Sequence, residues 1–394
     1  MSNKNRMSGN EAVAYAMKQI NPDVVAAFPI TPSTEIPQYV SKYKADGLIT
    51  TEFIAVESEH SAMSACIGAS AAGVRAMTAT SSAGMALMYE MLYIAASDRL
   101  PIVLAAVNRT LTGPININTE HSDAMGARDT GWIQIFCENA QEAYDNMLMA
   151  NRIAEHPDVM LPVMICQDGF ITSHGVENIL LEDDDKVKAF IGEYDPPHHL
   201  LNPEEPVAIG PYSVTSYVME MKVAQSMAMI RSKAVIINVS KEFNKEFKRE
   251  YSLFEEYRMD DAEYVLLLMS SAAGTAKVAV DNMRDKGLKA GLIKLRVFRP
   301  FPAAELAVAL KGVKALAIMD RSEGYSSNGG PLGAETRMAL YGRNDGIKTI
   351  NIVFGLGGRD ARVNDFETLF EELVELAKKP SDDIPYFKHM GQRE

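Results

Sequence analysis

The sequence is poor in the residue that builds metal clusters and disulfide frameworks. Its 394 residues include three cysteines, Cys66, Cys137 and Cys166, and no two of them form a CxxC pair. Three separated thiols cannot hold an iron–sulfur cluster or a structural zinc ion alone. We therefore expect free thiols, no metal site in this chain and a reducing compartment, the cytoplasm.

The chain also lacks a basic region and a long apolar run. The formal net charge is −13, and the charged run FNKEFKRE (243–250) mixes both signs. Such a surface would repel a phosphate backbone, so no nucleic-acid partner is expected. No stretch of 18 apolar residues occurs and the N-terminus MSNKNRMSGN has no apolar core, which predicts neither a membrane span nor a signal peptide.

What the sequence does contain is an alternation of short apolar runs with helical patterns. This alternation predicts an α/β fold with parallel sheets covered on both faces. We expect a doubly wound domain over 1–235, an ordered connector over 178–258 with one long helix near 213–232, and a smaller α/β domain over 259–394. The predicted strands are 23–28, 74–80, 101–107, 159–166, 262–271, 289–298, 313–320 and 348–355.

Three polar residues are predicted at three successive strand ends of the first domain. Thr31 follows the first apolar run, Glu59 opens a helix of small residues, and Arg109 ends the run PIVLAAV. Ligands in open α/β sheets bind at the carboxyl ends of strands, so we expect the three side chains to line one crevice.

Each of these residues also has a simpler interpretation. Thr31 before a proline suits a helix N-cap. Glu59 suits the first turn of a helix, where the macrodipole favours a carboxylate. Arg109 could pair with an acidic residue of the loop that follows it. Their coincidence at one sheet edge favours a binding site over three separate structural roles.

Several segments together resemble the α subunit of the 2-oxoacid:ferredoxin oxidoreductases, in particular the pyruvate synthase type. They are AFPITPST (27–34), VESEHSAMSACIGASAAG (56–73), TATSSAGMALMYEML (78–92), LPIVLAAVNRTLTGPIN (100–116), RDTGWIQ (128–134), LRVFRPFP (295–302) and GLGGRDARVND (355–365). The resemblance implies a domain that binds the pyrimidine half of thiamine diphosphate, followed by a transketolase C-terminal-like domain.

The resemblance also implies roles for individual residues. Glu59 corresponds to the catalytic glutamate that hydrogen-bonds the pyrimidine ring nitrogen of the cofactor. Thr31 and Arg109 correspond to the residues that contact the substrate carboxylate. Pro29 and Ile30 would shape the pyrimidine pocket.

The implied activity is the reversible, coenzyme A-dependent oxidative decarboxylation of pyruvate to acetyl-CoA and CO2, with electrons passed to ferredoxin. In this family, a β subunit supplies the diphosphate and Mg²⁺ site and an iron–sulfur cluster, and γ and ferredoxin-like δ subunits complete the enzyme. The sequence fits this division, since QDGF (167–170) is not the GDG motif of a diphosphate-bound metal.

Two alternatives remain at this point. The loop NINTEHSD (116–123) departs from the pyruvate type although PIN (114–116) is kept. A branched-chain 2-oxoacid such as 2-oxoisovalerate, or another 2-oxoacid, is therefore the alternative substrate. A structural subunit without catalytic residues is the alternative of a different class, and the presence of Thr31, Glu59 and Arg109 together argues against it.

Overall fold

The fold is described by a computed structural model covering residues 3–196, 198–344 and 346–393. The strands are β1 (Asn3–Met7), β2 (Val24–Ala27), β3 (Glu52–Ala55), β4 (Ala76–Thr80), β5 (Val103–Asn108), β6 (Ile133–Phe136), β7 (Val163–Asp168), β8 (Glu177–Leu181), β9 (Phe254–Tyr257), β10 (Tyr264–Met269), β11 (Ala290–Leu295), β12 (Val297–Arg299), β13 (Ala315–Asp320), β14 (Lys348–Val353) and β15 (Phe387–His389).

The α-helices lie between these strands, as the alternating pattern predicts. They are α1 (Gly9–Ile20), α2 (Glu35–Ala45), α3 (Glu59–Ala71), α4 (Ser82–Leu87), α5 (Tyr89–Ser97), α6 (Ser122–Gly126), α7 (Ala140–Ala154), α8 (Asp184–Ile191), α9 (Thr215–Phe247), α10 (Ala272–Asp285), α11 (Ala303–Ala309), α12 (Pro331–Leu340) and α13 (Val363–Leu376).

The first sheet has the strand order β12-β6-β7-β5-β4-β2-β3. All of its neighbouring strands are parallel except β12, which pairs antiparallel with β6. The central strands β4, β5 and β7 are buried along their whole length. Their continuous apolar sequences therefore reflect helices that cover both faces of the sheet.

The second sheet has the order β15-β14-β13-β10-β11-β9, with only β9 antiparallel to its neighbour. Helices α10 and α13 pack over one face of this sheet. On the other face, Leu306 and Leu332 join one apolar cluster with Trp132 and Phe136 of the first half of the chain. The two sheets therefore share a core and are not independently packed.

Several boundaries differ from the sequence-based expectation. The run predicted as one strand over 289–298 divides at Arg296, where β11 joins the second sheet and β12 the first. Arg296 is buried and donates from Nε to the Asn146 side-chain oxygen at 2.9 Å, which holds the chain at the crossing point. The connector helix predicted near 213–232 extends to Phe247 as α9.

Helix α9 begins as an exposed arm, which we define as residues 211–224. The chain leaves the body at Gly210, beside Asp98, and returns at Gln225, whose side chain packs against Gly131. Residues 214–224 are exposed on all sides. The helical part of this arm, residues 215–224, is about 15 Å long at 1.5 Å per residue. Within the described residues, no helix is long and apolar enough to cross a membrane.

Candidate functional site

The order of the first sheet reverses between β2 and β4. From β2 the chain adds β3 on one side, and from β4 it adds β5 on the other. The crevice at the carboxyl ends of such a pair is the usual ligand site of an open α/β sheet. Thr31 follows β2, Glu59 follows β3 and Arg109 follows β5, so all three lie at this edge. We had predicted three successive strand ends. This is wrong for β2 and β5, because β4 lies between them.

The segment after β2 forms a closed turn. The Ser33 backbone N–H and hydroxyl both donate to the Ile30 carbonyl at 2.8 Å. The side chain of Asn10, in helix α1, donates to the Pro32 carbonyl at 2.8 Å. Gly169 supports the same proline, since a Cβ on this glycine would lie 2.8 Å from Pro32 Cγ. The proline-rich segment is therefore fixed from inside the fold.

Thr31 is not a helix N-cap. Helix α2 begins at Glu35, four residues later, and its N-cap position is Thr34. Thr31 instead lies in the turn and is exposed. Its hydroxyl forms no hydrogen bond with any residue that the structure describes. This leaves the hydroxyl available to a ligand at the sheet edge.

Arg109 reaches from the end of β5 to this turn. Its Nη1 donates to the Thr31 carbonyl at 2.8 Å and its Nε to the Asn116 carbonyl at 2.9 Å. The residue is only 6% exposed. Over the described parts of the chain, no carboxylate pairs with its guanidinium, so the ion-pair interpretation is wrong. A buried guanidinium without a counter-charge is suited to bind an anion.

Glu59 is the first residue of α3 and is 3% exposed. Its carboxylate forms no hydrogen bond or ion pair with the described residues. Gly84 packs against it so closely that a Cβ there would lie 2.7 Å from Glu59 Oε1 and nearer still to Thr80 Oγ1. The Thr80 hydroxyl is itself buried and has no hydrogen-bond partner among the residues that the structure describes. A carboxylate left unpaired in such a place is available to a donor group of a ligand.

The turn between β4 and α4 connects these groups. Beside Gly84, Ser82 donates its backbone N–H to Asp123 Oδ2 at 2.9 Å and its hydroxyl to the Thr110 carbonyl at 2.5 Å. The same Asp123 oxygen accepts the Arg109 backbone N–H at 2.9 Å. Burial raises the pKa of Asp123, although four donors partly offset this effect. The aspartate thus ties the Glu59 side of the edge to the Arg109 side.

Asp123 was not singled out from the sequence, because nothing local marks it. It lies 14 residues after Arg109 and reaches the site only through the fold. Asp123 is the last residue of the loop 116–123, which departs from the pyruvate type, and the Asn116 carbonyl of this loop contacts Arg109.

One carboxylate cluster elsewhere could be mistaken for a metal site. Oxygens of Glu138, Glu142 and Glu255 lie within 4.8 Å of one another. Lys294 Nζ already contacts all three, at 2.5 to 2.8 Å. A buried ammonium therefore occupies the position that a cation would take, and the cluster is an ionic link between α7 and the second sheet.

Family comparisons agree with this geometry. Residues 15–241 match the family described as pyruvate flavodoxin/ferredoxin oxidoreductase, thiamine diphosphate-binding. The chain belongs to this family. Residues 262–366 match the pyruvate:ferredoxin oxidoreductase core domain II. The resemblance seen in the sequence is thereby confirmed, and with it membership in the thiamine-dependent oxidoreductases of 2-oxoacids.

Curated relatives extend over nearly the whole chain. Pyruvate synthase subunit PorA of Thermotoga maritima is 50% identical, covering 93% of this chain and 94% of the relative. The protein of the same name from Methanocaldococcus jannaschii is 43% identical, covering 96% and 95%. Ketoisovalerate oxidoreductase subunit VorA of Pyrococcus abyssi is 42% identical, covering 95% and 94%.

Two solved structures confirm the predicted fold class. The 2-oxoglutarate:ferredoxin oxidoreductase of Magnetococcus marinus, solved with 2-oxoglutarate, coenzyme A and succinyl-CoA, matches with a TM-score of 0.73 at 18% identity. This chain is covered to 95%, and it spans 66% of that longer chain. A split-gene transketolase in an inactive β4 tetramer matches with a TM-score of 0.54 at 12% identity, covering 94% and 99%. At these identities the likeness shows the fold alone.

Proposed function

We propose that this chain is the α subunit of a pyruvate:ferredoxin oxidoreductase. The complete enzyme would convert pyruvate and coenzyme A reversibly to acetyl-CoA and CO2 and pass the electrons to ferredoxin. The observation that carries the proposal is Arg109: a buried guanidinium that has no carboxylate partner among the described residues and lies 2.8 Å from the carbonyl of the exposed Thr31. The relatives named pyruvate synthase subunit support the same assignment.

Arg109 and Thr31 would hold the carboxylate of the 2-oxoacid. Arg109 Nη2 forms no hydrogen bond within the described residues, whereas Nη1 and Nε are fixed by carbonyls. A guanidinium oriented in this way loses little entropy when it binds an anion. Leaving a substrate carboxylate unpaired in a closed site would cost several kcal/mol, roughly 2–7 even for a neutral polar group.

Glu59 would bind the pyrimidine of thiamine diphosphate. The cofactor supplies the carbanion chemistry that decarboxylation of a 2-oxoacid requires. The buried Glu59 carboxylate, which has no partner within the part of the chain that the structure describes, would exchange a proton with the ring nitrogen. Pro29 and Ile30, on the turn fixed by Ser33, would form the wall of the pyrimidine pocket.

The rest of the enzyme would come from partner subunits. We assign the diphosphate and Mg²⁺ site and the iron–sulfur clusters to β, γ and δ subunits, because the three cysteines of this chain are buried free thiols. The exposed arm supports assembly, since its apolar side chains include Tyr217 (62% exposed) and Met219 (72% exposed). Three reduced thiols suit a cytoplasmic location.

Pyruvate is preferred to a branched-chain substrate on one ground. The Thermotoga pyruvate synthase subunit is 50% identical to this chain, against 42% for the ketoisovalerate oxidoreductase subunit. The loop 116–123, which contacts Arg109, is the region where side-chain tolerance would be decided.

The test is affinity purification of the tagged chain from its native cell, followed by assays of the complex. We expect co-elution of a protein with a GDG segment and of proteins with four-cysteine motifs. The complex should reduce ferredoxin with pyruvate and coenzyme A, and the chain alone should be inactive. A higher kcat/KM with 2-oxoisovalerate would transfer the assignment to the branched-chain type. A complex inactive with every 2-oxoacid would make this chain a structural subunit.

A further inference from the structure

The loop of residues 116–121, called the bridging loop below, connects Arg109 to the second half of the chain. At one end, the Asn116 carbonyl accepts from Arg109 Nε at 2.9 Å. At the other end, the His121 backbone N–H donates to the Arg321 carbonyl at 2.8 Å. Arg321 directly follows β13 of the second sheet. The position of Arg109 therefore depends on contacts made outside its own sheet.

The segment after β14 holds the same loop. The Gly358 N–H donates to the Thr119 carbonyl at 2.9 Å, and the Gly357 N–H donates to Glu120 Oε2 at 3.1 Å. Both glycines have a positive φ, 62° at Gly357 and 77° at Gly358, which residues with a side chain rarely adopt. The glycine-rich run GLGGRD (355–360) is thus explained as a backbone cradle for the bridging loop.

Asp168, the last residue of β7, lies at the centre of these contacts and is completely buried. Its Oδ1 accepts from the Thr119 hydroxyl at 3.1 Å and from His121 Nε2 at 2.8 Å. Its Oδ2 accepts from Arg321 Nη1 at 2.8 Å and from the Ser271 backbone N–H at 3.1 Å. One oxygen therefore binds the bridging loop and the other binds the second sheet.

The charge of Asp168 is needed as well as its shape. Arg321 is 5% exposed, lies over the Phe354 ring at 5.3 Å, and has Asp168 as its only carboxylate partner within the described residues. Burial by itself would raise the pKa of Asp168, but Arg321 and His121 hold it well below the ordinary value. Removing one charge of a buried pair is costly because the other remains unpaired.

We propose that Asp168 is a positioning residue for the substrate-binding Arg109. It fixes the bridging loop against the second sheet, so that the Asn116 carbonyl keeps the guanidinium directed at the Thr31 turn. Displacement of a substrate-positioning group by about 1 Å can cost on the order of 100-fold in rate. The inference rests on the proposed function, in which Arg109 binds the 2-oxoacid carboxylate.

A general role in holding the two sheets together would look different. The chain contains a second buried ionic link between the halves, from Glu142 of α7 to Lys294 of β11. Glu142 is 8% exposed, but it makes no contact with the bridging loop. Glu142→Gln is therefore a control that removes a buried charge between the two halves away from the bridging loop, while Lys294 keeps its contacts with Glu138 and Glu255.

The experiment compares Asp168→Asn, Ser271→Ala and Glu142→Gln in the complete enzyme complex. Ser271 binds Asp168 from the second sheet through its backbone N–H and its hydroxyl, and does not touch the bridging loop. We expect the KM for pyruvate to rise about tenfold or more in Asp168→Asn and several-fold in Ser271→Ala. The KM for coenzyme A and kcat should change less than about threefold, and Glu142→Gln should leave the pyruvate KM unchanged.

A second readout does not depend on activity. Amide hydrogen exchange at residues 116–121 of the assembled complex should be faster in Asp168→Asn and Ser271→Ala than in Glu142→Gln. If the wild-type complex does not act on 2-oxoacids, the proposed function is overturned. The exchange measurement still tests the positioning role in that case. Equal exchange and equal pyruvate KM in all three variants would overturn the positioning role.

Thr119→Val provides a milder variant in case Asp168→Asn does not assemble. It removes the hydroxyl that donates to Asp168 at 3.1 Å and leaves the pair with Arg321 intact. We expect about a two- to fivefold rise in the pyruvate KM, the size of one lost hydrogen bond. Parallel losses in kcat and in the KM for coenzyme A would identify a merely structural contact and contradict the proposal.

Discussion

Two buried aspartates end strands of the two sheets, and their surroundings set them apart. Asp168 ends β7 and faces the Arg321 guanidinium at 2.8 Å. Asp320 ends β13 and receives the Leu332 and Gly333 backbone N–H groups, both at 2.8 Å. Burial raises the pKa of Asp320 to about 6, whereas Arg321 and His121 keep that of Asp168 well below its usual range.

The comparison shows which polar groups at the strand ends are paired inside the chain and which are not. At the edge of the second sheet, the Asp320 carboxylate is paired inside the chain, and its Oδ2 also accepts from the Asn351 side chain at 2.7 Å. The edge of the first sheet leaves Glu59 and the Thr31 hydroxyl without partners in the described chain. Unpaired groups are costly unless a ligand completes them. The groups around Asp320 are therefore complete within the chain, whereas in the proposed function a ligand completes Glu59 and Thr31.

The largest effect is expected at Glu59. Glu59→Gln should lower turnover of the complex by about a thousandfold or more, since the amide cannot exchange a proton with the cofactor. Glu57→Gln is the control, because this exposed neighbour accepts a hydrogen bond from the Ser61 hydroxyl, on the solvent side of the same helix start. Steady-state assays and size-exclusion chromatography of both complexes make the measurement. Full activity of the Glu59 variant would remove it from the mechanism.

A smaller loss is expected when the guanidinium is replaced. Arg109→Lys should lower kcat/KM for pyruvate on the order of 100-fold, because an ammonium cannot hold both carbonyls and a carboxylate together. Arg99→Lys serves as the control, since Arg99 also donates to main-chain carbonyls, at Met160 and Val159, away from the site. If the two variants lost activity equally, Arg109 would have no special part in substrate binding.

Gly84 tests the space beside Glu59. Gly84→Ala should weaken thiamine diphosphate binding about tenfold, because the new Cβ would lie 2.7 Å from Glu59 Oε1 and displace the carboxylate. At Gly68 in α3 a Cβ would meet no described atom within 4 Å outside its own helix backbone, so Gly68→Ala should be neutral or stabilising by about 0.5–1 kcal/mol. Titration of each complex with the cofactor distinguishes them, and unchanged affinity in Gly84→Ala would contradict the proposed pocket.

The smallest effect concerns the pH dependence of stability. The folded-state pKa of Asp320, about 6, lies above the ordinary value of 3.8 for an aspartate. The folded chain therefore binds this proton more tightly, and the resulting stability is complete below pH 3.8 and lost as the pH rises through about 6. It amounts to at most about 3 kcal/mol.

Asp320→Asn should flatten this part of the stability profile. Urea unfolding of the wild type, the variant and the exposed control Asp260→Asn at pH 5 and pH 7 makes the comparison. The wild type and the control should lose stability over this range, and Asp320→Asn should lose less. Parallel profiles for all three would show that Asp320 does not titrate in this window.

The sequence predicted the parts of the fold that local pattern controls. The buried strands β4, β5 and β7 were found because helices cover both of their faces and their residues are apolar or small up to the polar residues at the ends of β5 and β7. The strand β3 was not predicted, because it lies at the sheet edge and its Glu52, Ile54 and Ala55 are exposed. A short edge strand carries too weak an apolar signal to be recognised alone.

The site was predictable to the same extent. Thr31 and Arg109 were expected to meet because both follow strong strand signals, and their contact at 2.8 Å agrees with this expectation. Asp123 and Asp168 were not predicted to support the site, since their partners lie as far as 153 residues away in sequence, as for Arg321 and Asp168. Such contacts depend on how the two sheets meet, which periodicity does not report.

The short strand β12 limits how this polypeptide can be divided. Val297 and Arg299 pair with β6 and so close the outer edge of the first sheet with residues that follow the second sheet's β11. A fragment ending at residue 258 would lack β12 and would expose β6, whose residues are all buried in the intact chain, as an unpaired edge strand. Unpaired edge strands promote aggregation. We therefore expect the first domain, expressed without β12, to be insoluble unless another strand is added to pair with β6.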